Sequence, residues 1–168
     1  MNRAEITKTL GELLIRDKLS GTYWASEVTF DYGMKNVRRV DFMKYEPVNQ
    51  STAGIEKGTF TAYEVKSSVA DYRSKNGHNF EMERNYYVMP FDVFWKLKTE
   101  LPNIGVYCPI PKKLRHLNLT EIAGNHMDSF PPLSEDDYEM VNIWGCTTRQ
   151  QRDISVAKCL FYMLRSGK

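Results

Sequence analysis

The chain has 168 residues, the size of one ordinary domain and enough to bury a core without disulfides or metals. Hydrophobic residues make up 42% and charged residues 26%, a balance typical of globular proteins and not of disordered ones. No stretch approaches the ~20 apolar residues of a membrane span, and MNRAEITKTL lacks a signal-peptide apolar run. The three cysteines are widely spaced and suit neither a disulfide framework nor a metal knuckle. We therefore expect a reduced, cytoplasmic setting with no membrane partner.

The charge balance leaves the function open. The net charge is only +2, from 23 basic and 21 acidic residues. This near balance does not mark a nucleic-acid-binding protein, yet it does not exclude an enzyme that gathers basic side chains on one face.

The first half of the chain predicts one helix and three strands. Apolar residues at helical spacing predict a helix from Arg3 to Lys18. Alternating apolar and polar residues predict strands at Val28–Tyr32, Val37–Tyr45 and Thr59–Lys66. Because these strands follow one another closely, we expect an antiparallel meander.

The next segments alternate between helix and strand. A polar helical pattern runs from Val69 to Arg84, with Gly77 as an interruption, and NYYVM at Asn85–Met89 reads as a buried strand. Pro90 suits the start of a helix that ends before Pro102, and a further strand is predicted at Ile104–Cys108.

The last third predicts less regular structure. Residues 109–145 hold four prolines and an acidic run, so we expect this segment to be rich in loops. A capping box of Thr148 and Gln151 predicts a C-terminal helix at about 149–166. Together the segments predict a single α/β domain over residues 1–168, with a mixed sheet of four or five strands flanked by helices.

The residues with most chemical meaning are Asp41 and the tripeptide Glu64-Val65-Lys66. On a strand, Glu64 and Lys66 project to the same side. If the strand of Asp41 pairs with this one, two carboxylates and an ammonium converge at one sheet edge. Carboxylate and carbonyl oxygens suit Mg²⁺, and a neighbouring lysine can orient an attacking water. The plain alternative is a solvent-exposed ion pair, which is the commoner meaning of Glu-x-Lys on a strand.

This pattern resembles the PD-(D/E)xK nuclease superfamily. The segments VRRVDFM, YEVKSSVADYRS, ERNYYVMPFDVF and LPNIGVYCP are similar to the MmcB-like family associated with DNA repair, which has relatives in phages and prophages. The similarity spans about residues 24–111, and EVKSS followed by ADYRS is its most specific part. Val40 stands where the superfamily name has proline. The Gln-x-x-x-Tyr of some branches has only a loose echo in Glu83 and Tyr87.

The resemblance implies a restriction-endonuclease-like core and roles for four residues. Asp41 and Glu64 would be catalytic metal ligands, with the backbone carbonyl of Val65 as a further ligand. Lys66 would position the attacking water. The implied cofactor is Mg²⁺ or Mn²⁺, and the implied activity is hydrolysis of DNA in repair, recombination or phage DNA processing, by endonuclease or exonuclease cutting.

Some residues are weaker candidates for the same site. Glu12 on the first helix and Glu27 on the first strand are additional acidic candidates, although a solvated glutamate is the favoured explanation for each. Asp71 with Arg73 suits contact with a phosphate or a metal-bound water, and also suits a helix-surface ion pair.

Basic residues near these motifs are candidates for binding DNA phosphates; the alternative is a solvated basic surface. The candidates are Arg38, Arg39, Arg73, Lys75, Lys112, Lys113 and Arg115. A homodimer would suit cutting of both strands, but nothing in the sequence requires one. Two other functions stay open: an inactive DNA-binding module of the same fold, and a protein-interaction module that uses residues 109–145.

Overall fold

The computed structural model describes residues 1–16, 18–74, 77–147 and 152–166. Helices and strands alternate along much of this length. The helices are α1 (Arg3–Arg16), α2 (Thr52–Glu56), α3 (Val69–Arg73), α4 (Phe91–Leu97), α5 (Leu119–Asn125) and α6 (Val156–Arg165). The strands are β1 (Tyr23–Phe30), β2 (Arg38–Glu46), β3 (Thr59–Val65), β4 (Arg84–Val88), β5 (Gly105–Pro111) and β6 (Tyr138–Trp144). Among the described residues no helix is long and apolar enough to cross a membrane.

The strands form one sheet in the order β1-β2-β3-β4-β5-β6, flanked by helices. β1 pairs with β2, and β2 with β3, both antiparallel. The predicted α/β class and the three-stranded meander are therefore confirmed. In the β2–β3 pair, Phe42 lies opposite Tyr63 and Met43 opposite Ala62.

The sheet has six strands, so the prediction of four or five is wrong. The extra strand is β6, which pairs antiparallel with β5 inside the segment that we expected to be loop-rich. β6 lies at the edge of the sheet, and most of its residues are only half-buried or exposed. An edge strand of this kind needs no strong apolar alternation, which explains why YEMVNIW gave no clear signal. Residues 109–145 also contain α5, which begins with a capping box of Asn118 and Glu121.

The predicted helix at Val69–Arg84 is confined to α3, which ends at Arg73. Gly77 has a φ of +63°, a left-handed conformation that interrupts a helix. Near the other end, the side chain of Asn85 accepts from the Met82 N–H and donates to the Met82 carbonyl. These side-chain bonds occupy backbone groups that a helix would use.

The C-terminal helix begins later than predicted. α6 starts at Val156, and the Ser155 hydroxyl caps it by accepting from the Lys158 N–H. The predicted cap of Thr148 and Gln151 lies outside the described residues.

The described chain forms two compact units. The first comprises residues 1–16, 65–74 and 87–145, and the second 18–64, 77–86, 146–147 and 152–166. In the first, α1 contributes Leu10 and Leu13 to the buried side chains, and α4 contributes Leu97. In the second, α6 packs on the meander, with Cys159 and Tyr162 among its contacts in the core. The chain passes from the second unit to the first between Glu64 and Val65.

Candidate functional site

Asp41 and Glu64 occupy neighbouring positions on paired strands of the second unit. The β2–β3 register ends with Phe42 opposite Tyr63, and Asp41 and Glu64 are the next residues along the two strands. Glu64 is only 1% exposed, whereas Asp41 is half-buried. The strand pairing that the sequence reasoning required, that of β2 with β3, is therefore present.

Glu27 lies on β1, the strand that pairs with β2 on the side away from β3. It falls between the β1–β2 pairs Ser26–Phe42 and Val28–Val40. Its φ is +54°, a conformation that costs a non-glycine residue about 1–3 kcal/mol. Its exposed carboxylate accepts from Arg39 at 2.8 Å, so the side chain is engaged at the surface.

Glu12, the other weaker acidic candidate, pairs with Lys8 one turn away at 3.6 Å. Across the described ranges, no three His, Cys, Asp or Glu side chains are grouped so that they could hold a metal. The second unit thus carries the two candidate carboxylates, Asp41 and Glu64, and Val65 follows Glu64 in the chain.

Lys66 belongs to the first unit and is buried, with 3% of its surface exposed. Its backbone N–H donates to the Val88 carbonyl at 2.9 Å. An ammonium group is rarely buried to this extent because it loses its hydration. A buried lysine directly after a buried glutamate and valine is unlike the solvent-exposed ion pair that was the plain alternative for Glu-x-Lys.

Asp71 and Arg73 do not pair with each other. Asp71, 8% exposed, binds Arg3 at 2.5 Å and accepts from the N–H and hydroxyl of Ser67 at 2.9 and 3.1 Å. Arg73 instead pairs with Glu100 through two hydrogen bonds, at 2.6 and 3.3 Å. Sequence reasoning missed both partners because Arg3 and Glu100 are distant in the chain and no local pattern links them to α3.

Most of the proposed phosphate-binding cations have protein partners. Carboxylates pair with four arginines: Arg38 with Asp31 and Glu81, Arg39 with Glu27, Arg73 with Glu100, and Arg115 with Glu139. Lys112 donates to the Asp136 carbonyl at 2.6 Å. Lys113 is exposed, and Lys75 lies outside the described residues.

Each unit also contains a cavity. The cavity of the first unit measures about 810 Å³, and its wall includes Ser67 and Ser68, Phe91 and Phe130. It therefore starts at the residue that follows Lys66. The cavity of the second unit measures about 420 Å³ and is mainly apolar. Both volumes lie in the range of ligand-binding pockets.

Comparisons with known proteins give information about the fold only. No protein-family model matches the chain, and no curated protein matches it. Among solved structures, a protein of unknown function from Silicibacter pomeroyi is similar, with a TM-score of 0.54 and 15% sequence identity. The similarity covers 99% of this chain and 84% of that one. The two proteins share a fold, and the likeness carries no information about activity.

Proposed function

We propose that this protein is a metal-dependent deoxyribonuclease with a restriction-endonuclease-like core. The observation that carries the proposal is the antiparallel pairing of β2, which holds Asp41, with β3, which holds the buried Glu64 and is followed in the chain by the buried Lys66. These are the residues that the resemblance assigns to catalysis. A role in DNA repair, recombination or phage DNA processing follows from the same resemblance.

The burial of Glu64 and Lys66 supports a functional role for these two residues. Burying a carboxylate or an ammonium costs free energy unless other charges or hydrogen bonds compensate it. Glu64 and Lys66 are 1% and 3% exposed, so an apolar pair of similar size would be a cheaper way to complete this strand.

The donor chemistry suits a hard divalent cation. Asp41, Glu64 and the Val65 carbonyl would hold Mg²⁺ or Mn²⁺ through oxygen atoms, as these ions prefer. When bound, the ion would stabilise negative charge on the scissile phosphate. Lys66 would orient the attacking water through a hydrogen bond. An ammonium group would donate this bond to the water oxygen, and a neutral amine would accept it from a water O–H.

The substrate side of the proposal comes from the first unit. The cavity that begins at Ser67 and Ser68 is large enough for a nucleotide, and the half-buried phenyl ring of Phe130 lies in its wall. Aromatic surfaces of this kind stack with bases of single-stranded nucleic acid. We therefore expect unpaired DNA, either single-stranded or at a branch, to be the better substrate.

The test is cleavage of labelled single-stranded, duplex and branched DNA with Mg²⁺ or Mn²⁺. Glu64→Gln and Lys66→Ala should each lower the cleavage rate by about 10²–10⁴-fold, the usual range for loss of a catalytic group. Glu56→Gln and Lys57→Ala make the same chemical changes at exposed positions, and both should leave the rate unchanged.

The outcomes separate the open functions. Equal cleavage by the wild type and Glu64→Gln would place the activity elsewhere or in a contaminant, and would end the proposal. DNA binding without cleavage by any variant would favour the inactive binding module. No DNA binding at low salt would favour the protein-interaction module.

A further inference from the structure

The turn that follows Lys66 is held by a carboxylate from α3. Both the N–H and the hydroxyl of Ser67 donate to Oδ2 of Asp71, at 2.9 and 3.1 Å. The other oxygen, Oδ1, accepts from Arg3 of α1 at 2.5 Å. All of these residues belong to the first unit, and Ser67 and Asp71 are 5% and 8% exposed.

These bonds fix the backbone on both sides of Lys66. The peptide before Lys66 is held because the Lys66 N–H donates to the Val88 carbonyl at 2.9 Å. The peptide after Lys66 is held because the Ser67 N–H donates to Asp71. With both peptide planes bonded, the φ and ψ of Lys66 have little freedom, and these two angles set the direction in which its side chain leaves the backbone.

At the start of α3, the bond that the acidic side chain of a capping box normally makes is displaced by one residue toward Lys66. In a capping box, the acidic side chain at the third helical position accepts from the N–H of the capping residue. Here Ser68 caps α3 and accepts from the Asp71 N–H at 3.1 Å. The Asp71 carboxylate, however, binds Ser67 and not the Ser68 N–H. The common arrangement occurs in α5, where Glu121 accepts from the N–H of the capping residue Asn118 at 3.0 Å.

We propose that Asp71 is a positioning residue that acts on Lys66 through Ser67, and that Arg3 supplies the counter-charge. The carboxylate extends the ordered backbone past the end of β3, which ends at Val65. This holds the Lys66 amine where the water must be oriented. The inference rests on the proposed nuclease function for its catalytic meaning, but the constraint on Lys66 can be measured without any activity.

The first measurement is the rate at which the Lys66 amine is acetylated in the folded full-length protein, followed by peptide mass spectrometry. Asp71→Ala should raise this rate by about tenfold, the change expected when a local opening no longer breaks a hydrogen bond. Glu121→Ala removes the corresponding carboxylate from the cap of α5, and should leave the rate at Lys66 unchanged. Ser67→Ala removes only the hydroxyl contact and should give a smaller increase. It keeps the test informative if Asp71→Ala does not fold.

The second measurement separates positioning from stability. In Asp71→Ala, kcat for Mg²⁺-dependent cleavage should fall by about 100-fold, as for a misplaced catalytic group, with KM unchanged. Unchanged acetylation of Lys66 in both folded variants, Asp71→Ala and Ser67→Ala, would overturn the proposal, as would faster acetylation with an unchanged kcat. If acetylation rises but the wild type cuts no DNA, the constraint on Lys66 is supported and the nuclease function alone is rejected.

Discussion

Asp31 joins the turn after β1 to β2 and to α6 in the second unit. It adopts a φ of +53° and accepts from Arg38 at 2.8 Å, from Lys158 at 2.9 Å and from the Tyr162 hydroxyl at 3.2 Å. The hydrogen bond from Lys158 is the largest cause, and that from Arg38 the next, of a pKa lowered from 3.8 to about 2. One carboxylate thus secures the helix that covers the meander.

The lowered pKa of Asp31 predicts sensitivity to acid. Because the folded state favours the ionised form, the stabilisation is complete above the ordinary pKa of 3.8 and disappears as the pH falls toward 2. Asp31→Asn should therefore be less stable than the wild type at pH 7, and the difference should shrink between pH 4 and pH 2. Urea unfolding across this range measures the effect. Asp92→Asn, which removes an exposed carboxylate paired with Lys96, is the control and should show a much smaller difference.

The cysteines give a second prediction for single residues. Cys108 and Cys159 are fully buried, and burial raises the pKa of each thiol, that of Cys159 to about 11. Cys146 is only half-buried. Since the thiolate is the reactive form, a thiol reagent at pH 8 should label Cys146 in the folded protein. Labelling of Cys108 or Cys159 without denaturant, measured by mass spectrometry, would contradict the packing described for either core.

The sequence indicated which candidate residues lie near one another where these residues are adjacent or on consecutive strands. Glu64 and Lys66 are fixed by chain order, and the pairing of β2 with β3 follows from a short meander. The interactions of Asp71 with Arg3 and of Arg152 with Glu83 were not predicted, because these partners lie 68 and 69 residues apart. The sequence around an arginine does not indicate which distant carboxylate the arginine will pair with in the fold.

Among the elements, the segment before α6 is joined to the start of β3 through a part-buried ion pair of Arg152 with Glu83. The Arg152 guanidinium, four residues before α6, contacts Glu83 and donates to the Gly58 carbonyl at 3.1 Å. The other oxygen of Glu83 accepts from the Phe60 N–H at 3.1 Å. Arg152 and Glu83 are 13% and 14% exposed, so water does little to screen either charge.

This ion pair predicts a non-additive double substitution. Arg152→Met leaves the Glu83 carboxylate without its partner and should lower the free energy of unfolding by about 3 kcal/mol. Glu83→Gln in the same chain removes the isolated charge and keeps an acceptor for the Phe60 N–H, so the double variant should recover part of the loss. Urea unfolding of the wild type, both single variants and the double variant measures the coupling. If the losses of unfolding free energy in the two single variants add up to that of the double variant, Arg152 and Glu83 contribute only as separate contacts.

Helices and strands were predictable where an amphipathic sequence pattern reflects a face that packs on the core. The helix α1 and the strands of the meander have such faces, and their positions were largely predicted. β6 was missed because it is paired on one side only and carries no strong alternation. The predicted helix after Ser67 is short because Gly77 and Asn85 favour other backbone geometries.

At the scale of the whole molecule, four of the arginines proposed to bind phosphates are paired with carboxylates of the protein. The net charge is +2, and Arg38, Arg39, Arg73 and Arg115 each have a carboxylate partner. Binding a phosphate would compete with these contacts. A nuclease whose substrate is held by a metal and a nucleotide-sized cavity needs few additional cations, whereas a DNA-binding module without a metal depends on them.

This pairing predicts a weak dependence of DNA binding on salt. If about two cations neutralise phosphates, log K should fall with log salt concentration with a slope of about −1.5 on single-stranded DNA. The measurement is fluorescence anisotropy of a labelled single strand with the Glu64→Gln variant, in which cutting is suppressed. Lys113→Ala, which removes an exposed lysine, should make the slope shallower by less than one. A slope steeper than about −5 would mean that the paired arginines open to bind phosphates. That result would favour the binding module over a nuclease that relies on its metal, since the backbone contacts alone would then supply the affinity.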